Sequence, residues 1–200
     1  MTNNLKRKKD KKQSILDAAT QIFMKEGYKK TSVAKIAKEA GASQVTLYKY
    51  FPSKIALARE VVIKMIIDGY QASEDALNNS NATFAEGVEA LMSYGLTTSN
   101  AISDDFVVFM YSEFSGENGD EEVMNTYNEY KHGFWKRLLD KGRAEGAVNP
   151  QITDEGAIIY LDMFVSYAMD SNPYNAHSAI EIKNHEEDLI HLFFYGIMGH

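Results

Sequence analysis

The sequence predicts an all-α protein of about nine helices, in which an N-terminal unit of three helices precedes a larger helical body. Three observations carry this reading. Apolar residues recur at helical spacing along nearly the whole chain, no segment alternates apolar and polar residues between hairpin turns, and glycine or proline interrupts the pattern where short helices must turn. In 200 residues, 44% hydrophobic and 12% aromatic content supplies a substantial core, and 13 Gly with 3 Pro is too little for a disordered or collagen-like chain. No apolar run approaches the roughly 20 residues of a membrane span, and the charged start has no apolar export segment behind it, so a cytoplasmic protein is expected. The absence of cysteine excludes disulfides, thiolate nucleophiles and Cys-based metal sites.

Ile15, Ala18, Ala19, Ile22 and Phe23 form the apolar face of a first helix over about 12–26, stopped at Gly27. Thr31 or Ser32 caps a short second helix in which Val33, Ile36, Ala37 and Ala40 repeat at helical spacing. Gly41 follows, where a left-handed residue turns the chain, and a third helix over about 43–50 ends before Pro52. Two short helices across a glycine turn, buttressed by a longer one, make a helix-turn-helix.

Charge falls in the same place. Residues 1–54 hold 13 Lys/Arg against four acids, a net of +9, whereas 55–200 hold eight against 24, a net of −16. A basic head on an acidic body is the pattern of a polyanion binder. The second helix of such a pair lies in the major groove. Gln44 is suited to paired hydrogen bonds with adenine, Val45 to a thymine methyl, and Thr46, Tyr48, Lys49 and Tyr50 to phosphates, while Leu47 points to the core.

The stretch 15–57 resembles the N-terminal domain of the tetracycline-repressor-like (TetR/AcrR) family of bacterial transcription regulators. The motifs are A-x-x-x-F-x-x-x-G-Y from Ala19, T-S-V-x-x-I-A from Thr31, A-G-A-S-x-x-T-L-Y-x-Y-F from Ala40, and Ser53-Lys54. The resemblance implies phosphate contacts from Ser32, Thr46, Tyr48, Lys49, Tyr50 and Lys54, and base contacts from Gln44 and Val45. Ala34 and Ile55 depart from the family, standing where many members have a longer polar side chain and an acid.

The expected organisation is a flexible basic tail over 1–11, a DNA-binding domain over 12–54, and an effector-binding and dimerisation domain over 55–200. In the body, Ser53 caps a fourth helix to about residue 77, and Thr83 with Glu86 forms a capping box opening a fifth. A sixth covers about 104–113, and a seventh follows the acidic turn SGENGDEE and runs to about 143. Asn149-Pro150 breaks the chain before an eighth helix to about 169, capped by Thr153, and a ninth spans about 180–198. The eighth is apolar around most of its circumference and the ninth adds a second apolar surface. The resemblance implies that these two pair with their copies in a homodimer, with Ile158, Leu161, Val165, Leu189, Phe193 and Ile197 as interface candidates.

Phe, Tyr and Met crowd helices five to eight, where resembling proteins hold an apolar cavity. Leu91, Phe109, Met110, Tyr130, Phe134 and Phe164 are the pocket candidates, for a small lipophilic or cationic organic effector. No catalytic, metal or cofactor site is expected. His185-Glu186-Glu187 begins a zinc-protease pattern, but position 189 is Leu, and His191 falls off the helical face. His132, His177 and His200 are isolated, and Asp120, Glu121 and Glu122 lack a calcium-loop pattern. The predicted function is a sequence-specific regulator of a palindromic duplex operator, a repressor released by its effector. Alternatives are an architectural or cell-division DNA binder without a ligand switch, and a small helical enzyme.

Overall fold

A computed structural model of the chain describes residues 2–78, 83–169 and 177–198. Within them are ten helices: α1 (Thr2–Glu26), α2 (Val33–Glu39), α3 (Gln44–Tyr50), α4 (Lys54–Leu77), α5 (Phe84–Ala101), α6 (Asp104–Phe114), α7 (Glu122–Ala144), α8 (Asp154–Met169), α9 (Ala179–Asn184) and α10 (Glu186–Met198). No helix of the described residues is long and apolar enough to cross a membrane.

Side-chain caps set several helix starts, those at Ser32, Ser53 and Thr83 as predicted. Ser32, Ser43 and Ser53 accept from the backbone N–H groups of Lys35, Thr46 and Ala56, opening α2, α3 and α4. Thr83 and Glu86 form the expected reciprocal box at α5, and Ser178 with Glu181 forms a second at α9. Gly27 and Gly41 end their helices at φ +86° and +56°, in the left-handed region.

Two expectations change. The basic segment expected to be flexible over 1–11 is helical from Thr2, continuous with the first helix, and Lys11 at its end and Lys12 just after it find partners on the head and on α4. Lys11 Nζ lies 3.4 and 3.3 Å from the Ala40 and Gly41 carbonyls, and Lys12 Nζ lies 3.2 Å from Glu60 and 5.4 Å from the Phe51 ring centre. The expected ninth helix is two, broken at His185, where a capping box starts a short helix whose last turn closes before the acidic turn Glu186-Glu187-Asp188 begins the next.

The core forms two clusters. One joins α1, α2 and α3 to the first half of α4 and to α6, through Phe23, Ile36, Leu47, Leu57, Val61 and Phe106. Rings stack across this junction, Phe23 on Phe106 at 5.5 Å and Tyr28 on Phe109 at 4.3 Å. The other lies among α4, α5, α7, α8 and α10 and includes Leu77, Phe84, Phe134, Leu138, Phe193 and Phe194. The helix-turn-helix is therefore not a bead on a linker, since its core continues into the body.

Candidate functional site

Sequence spacing around Gly41 decides which side of α3 faces outward. Leu47 is fully buried and pins the helix to α1 and α2, so its neighbours one residue away on either side must turn out. Gln44, Val45, Tyr48 and Lys49 are exposed, Val45 to 68%, a large apolar side chain with no partner in its own fold. Thr46 and Tyr50 are half-buried. The Thr46 hydroxyl is engaged with the Ser43 cap at 2.9 Å, and Tyr50 packs on the head core.

The other predicted contacts are placed around this helix. Ser32 is exposed at the start of α2, where its hydroxyl oxygen accepts from the Lys35 N–H at 3.2 Å. Lys54 begins α4 with its ammonium 4.4 Å from the Tyr28 ring centre and 3.4 Å from the Lys29 carbonyl. Burial lowers its pKa while Asp105 raises it, with a net lowering. Several basic residues counted toward the head's charge are thus held internally. Lys35 pairs with Glu26 at 2.5 Å and Lys29 with Asp105 at 3.8 Å, whereas Lys30 and Lys49 are exposed and make no ion pair among the described residues.

Two contacts on the far side of the head tie it to the body. Asp105, at the start of α6, accepts from the Lys29 backbone N–H at 2.7 Å, and the Ser103 N–H donates to the Met24 carbonyl at 2.7 Å. Arg59 on α4 donates to the fully buried Glu113 of α6 at 2.5 Å and to Asp120 at 2.6 Å, and Asn118 donates to Glu113 at 2.6 Å. Burial works against the Arg59 charge, yet the hydrogen bond to Glu113 and the surrounding acids leave its pKa raised. The spacing of these residues carried no sequence signal, because 54 positions separate the partners.

Among the described residues, the proposed pocket candidates fall in different clusters. Phe109 and Met110 belong to the core shared with the head, while Leu91 and Phe134 belong to the second cluster. Tyr130 stacks on Tyr70 at 5.9 Å, and Phe134 meets the same ring edge-on at 5.5 Å. Helical spacing recognised these residues as inward-facing but could not separate the two cores. An open groove of about 500 Å³ lies elsewhere, between α1 and the α5–α6 junction, lined by Gln21, Met24, Lys25 and residues 100–103.

The interface candidates divide by face. Phe193 is buried against Trp135 and Tyr160 within the chain, and Ile158, Leu161 and Leu189 are half-buried. Among the described residues, the outward large apolar side chains of α8 and α10 are Ile159, Met163, Tyr167, Leu192 and Tyr195, from 48% to 63% exposed, none of them among the six interface candidates. A helix apolar all round gives no sequence clue to which side its own chain covers. The side chains of Phe164, Val165 and Ile197 lie outside the described residues.

A short exposed helix presented across a glycine turn, on a head with excess positive charge, defines a helix-turn-helix DNA-binding protein. The chain matches the family of bacterial regulatory proteins, tetR family, over residues 15–61. It is similar to the HTH-type transcriptional regulator LmrA of Bacillus subtilis (strain 168), 29% identical over 82% of this chain and 90% of that one. It is 25% identical to the uncharacterized HTH-type regulator YhgD of the same organism, over 80% and 84% of the two chains. Its fold is shared with the TetR transcription regulatory protein from Mycobacterium vanbaalenii, at a TM-score of 0.62 and 16% identity, over 96% and 98% of the chains.

Proposed function

We propose that the chain is a homodimeric, cytoplasmic repressor that binds a palindromic duplex operator and releases it when a small lipophilic effector occupies the helical body. The observation that carries this is the shared core. Because α4 and α6 complete the packing of the head, a rearrangement of the body helices cannot leave the recognition helix where it was. In a dimer, a small tilt of each head changes the distance between two recognition helices that must match half-sites about one duplex turn apart. An effector that favours the tilted state lowers operator affinity by its differential affinity for the two states. Gln44 and Val45 then read bases, and Ser32, Thr46, Tyr48, Lys49, Tyr50 and Lys54 hold phosphates.

The outward apolar face of α8 and α10 supports the dimer. Five large apolar side chains on these two helices stand exposed, the kind of surface that subunit contact covers.

Selection of bound fragments from random and genomic duplexes, repeated at two salt concentrations, tests the reading. Enrichment of one inverted repeat is expected. Recovery of unrelated fragments, all lost together as salt rises, would replace it with nonspecific binding.

A further inference from the structure

A lysine is among the side chains least often found fully buried, because its ammonium is strongly hydrated. Lys131, in the middle of α7, is only 4% exposed. Its ammonium has one hydrogen-bond acceptor among the described residues, Asp162 Oδ1 of α8 at 2.5 Å, and lies 5.3 Å from the ring centre of Tyr127. The Tyr127 ring adjoins further aromatics. Tyr70 of α4 lies 6.3 Å from Tyr127 and stacks on Tyr130. Burial raises the pKa of both Tyr70 and Tyr127, so both stay neutral donors at physiological pH.

The two partners of this ion pair differ in how they meet water. The Lys131 side chain is 5% exposed, whereas that of Asp162 is 44% exposed. Asp162 can swing into solvent and be rehydrated, while Lys131 cannot leave without unpacking α7. A second cation would have to displace the immobile partner, and an anion only the mobile one. The asymmetry makes this a place where one carboxylate can be exchanged for another.

We propose that the Lys131 ammonium is the recognition point for the carboxylate of a lipophilic organic acid, which displaces Asp162 and lays its apolar part along Tyr70, Tyr127 and Tyr130. This rests on the effector-released reading above and replaces its open choice of effector charge with an anionic one. Loss of the Asp162 contact removes one tie between α7 and α8, and Tyr70 carries the change to α4, the helix that continues into the head.

The test uses the full-length protein, with decanoate and 4-butylbenzoate as probes and decylamine, 4-butylbenzylamine and decanol as controls. Binding is followed by calorimetry and by the emission of Trp135, the single tryptophan, which lies one turn along α7 from Lys131. At least one carboxylate should bind, its amine counterpart about tenfold more weakly or not at all, as expected for one charge-assisted contact. Lys131→Met should lose carboxylate affinity by about tenfold while leaving decanol unaffected. Asp162→Asn, at a half-exposed position the fold tolerates, should tighten carboxylate binding because the competing anion is gone. Neither carboxylate binding, amines binding as well, or Asp162→Asn leaving affinity unchanged or weaker would overturn the proposal, and the last arm holds even where Lys131→Met fails to fold. Selective operator binding with no carboxylate bound would sink this inference alone. Carboxylate binding with no duplex selected would sink the regulator reading and leave the site standing.

Discussion

At the scale of single residues, the exposed face of α3 separates reading from holding. Gln44 offers two polar atoms that match adenine, so Gln44→Ala should cost about 1–3 kcal/mol of discrimination at one position in each half-site and little on random DNA. Lys49→Ala should weaken all duplexes alike and reduce the salt slope by about 1, measured by titration at several salt concentrations. Lys49 is the cleaner probe than Lys54, whose ammonium also serves Tyr28 and the Lys29 carbonyl. Gly27 shows a different constraint. Its φ of +86° disfavours any side chain, and an added Cβ would lie 2.5 Å from the Asp105 carboxylate that holds the Lys29 N–H. Gly27→Ala should therefore destabilise by more than about 1 kcal/mol, read from denaturant midpoints, and loosen the head from α6.

Among elements, α4 and α7 both contribute to the two cores, and Arg59 is where α6 grips α4. Glu113 has no access to water, so removing its guanidinium partner leaves a buried charge held only by Asn118. Arg59→Met should cost about 3 kcal/mol in urea unfolding, and adding Glu113→Gln should recover part of that loss, because the charge to be compensated is gone. Failure of the second change to recover stability would show that Arg59 acts through its contact with Asp120 instead. The helix starts were legible element by element, since Ser32, Ser43, Ser53 and the Thr83–Glu86 box act over three or four residues of chain. The break at His185 and the helical start at Thr2 were not. In the helix that starts there, Lys11 and Lys12 meet carbonyls and a carboxylate 29 to 48 positions away.

For the whole molecule, the two faces of α8 and α10 predict opposite phenotypes. Leu192→Glu alters a side chain that is 62% exposed, so the chain should keep its fold, sediment as a monomer, and lose operator affinity. Phe193→Ala, one residue along, empties a site packed by Trp135, Tyr160 and Phe194, and should cost about 3–5 kcal/mol of stability. A Leu192→Glu protein that remains dimeric would remove this surface from the interface.

The residues by themselves determined the helical class, the glycine-turned head, its charge, and which side of α3 faces outward, because each depends on local spacing or on a sum over the chain. Leu47 between exposed Tyr48 and half-buried Thr46 follows from helical periodicity alone. Tertiary structure alone decided which aromatics share a core, which face of α8 its own chain covers, and which charges are paired. Arg59 with Glu113, and Lys131 with Asp162, are ordinary charged residues of amphipathic helices until packing removes water from one partner. That removal depends on where distant helices cross, and nothing in the spacing of either pair encodes it.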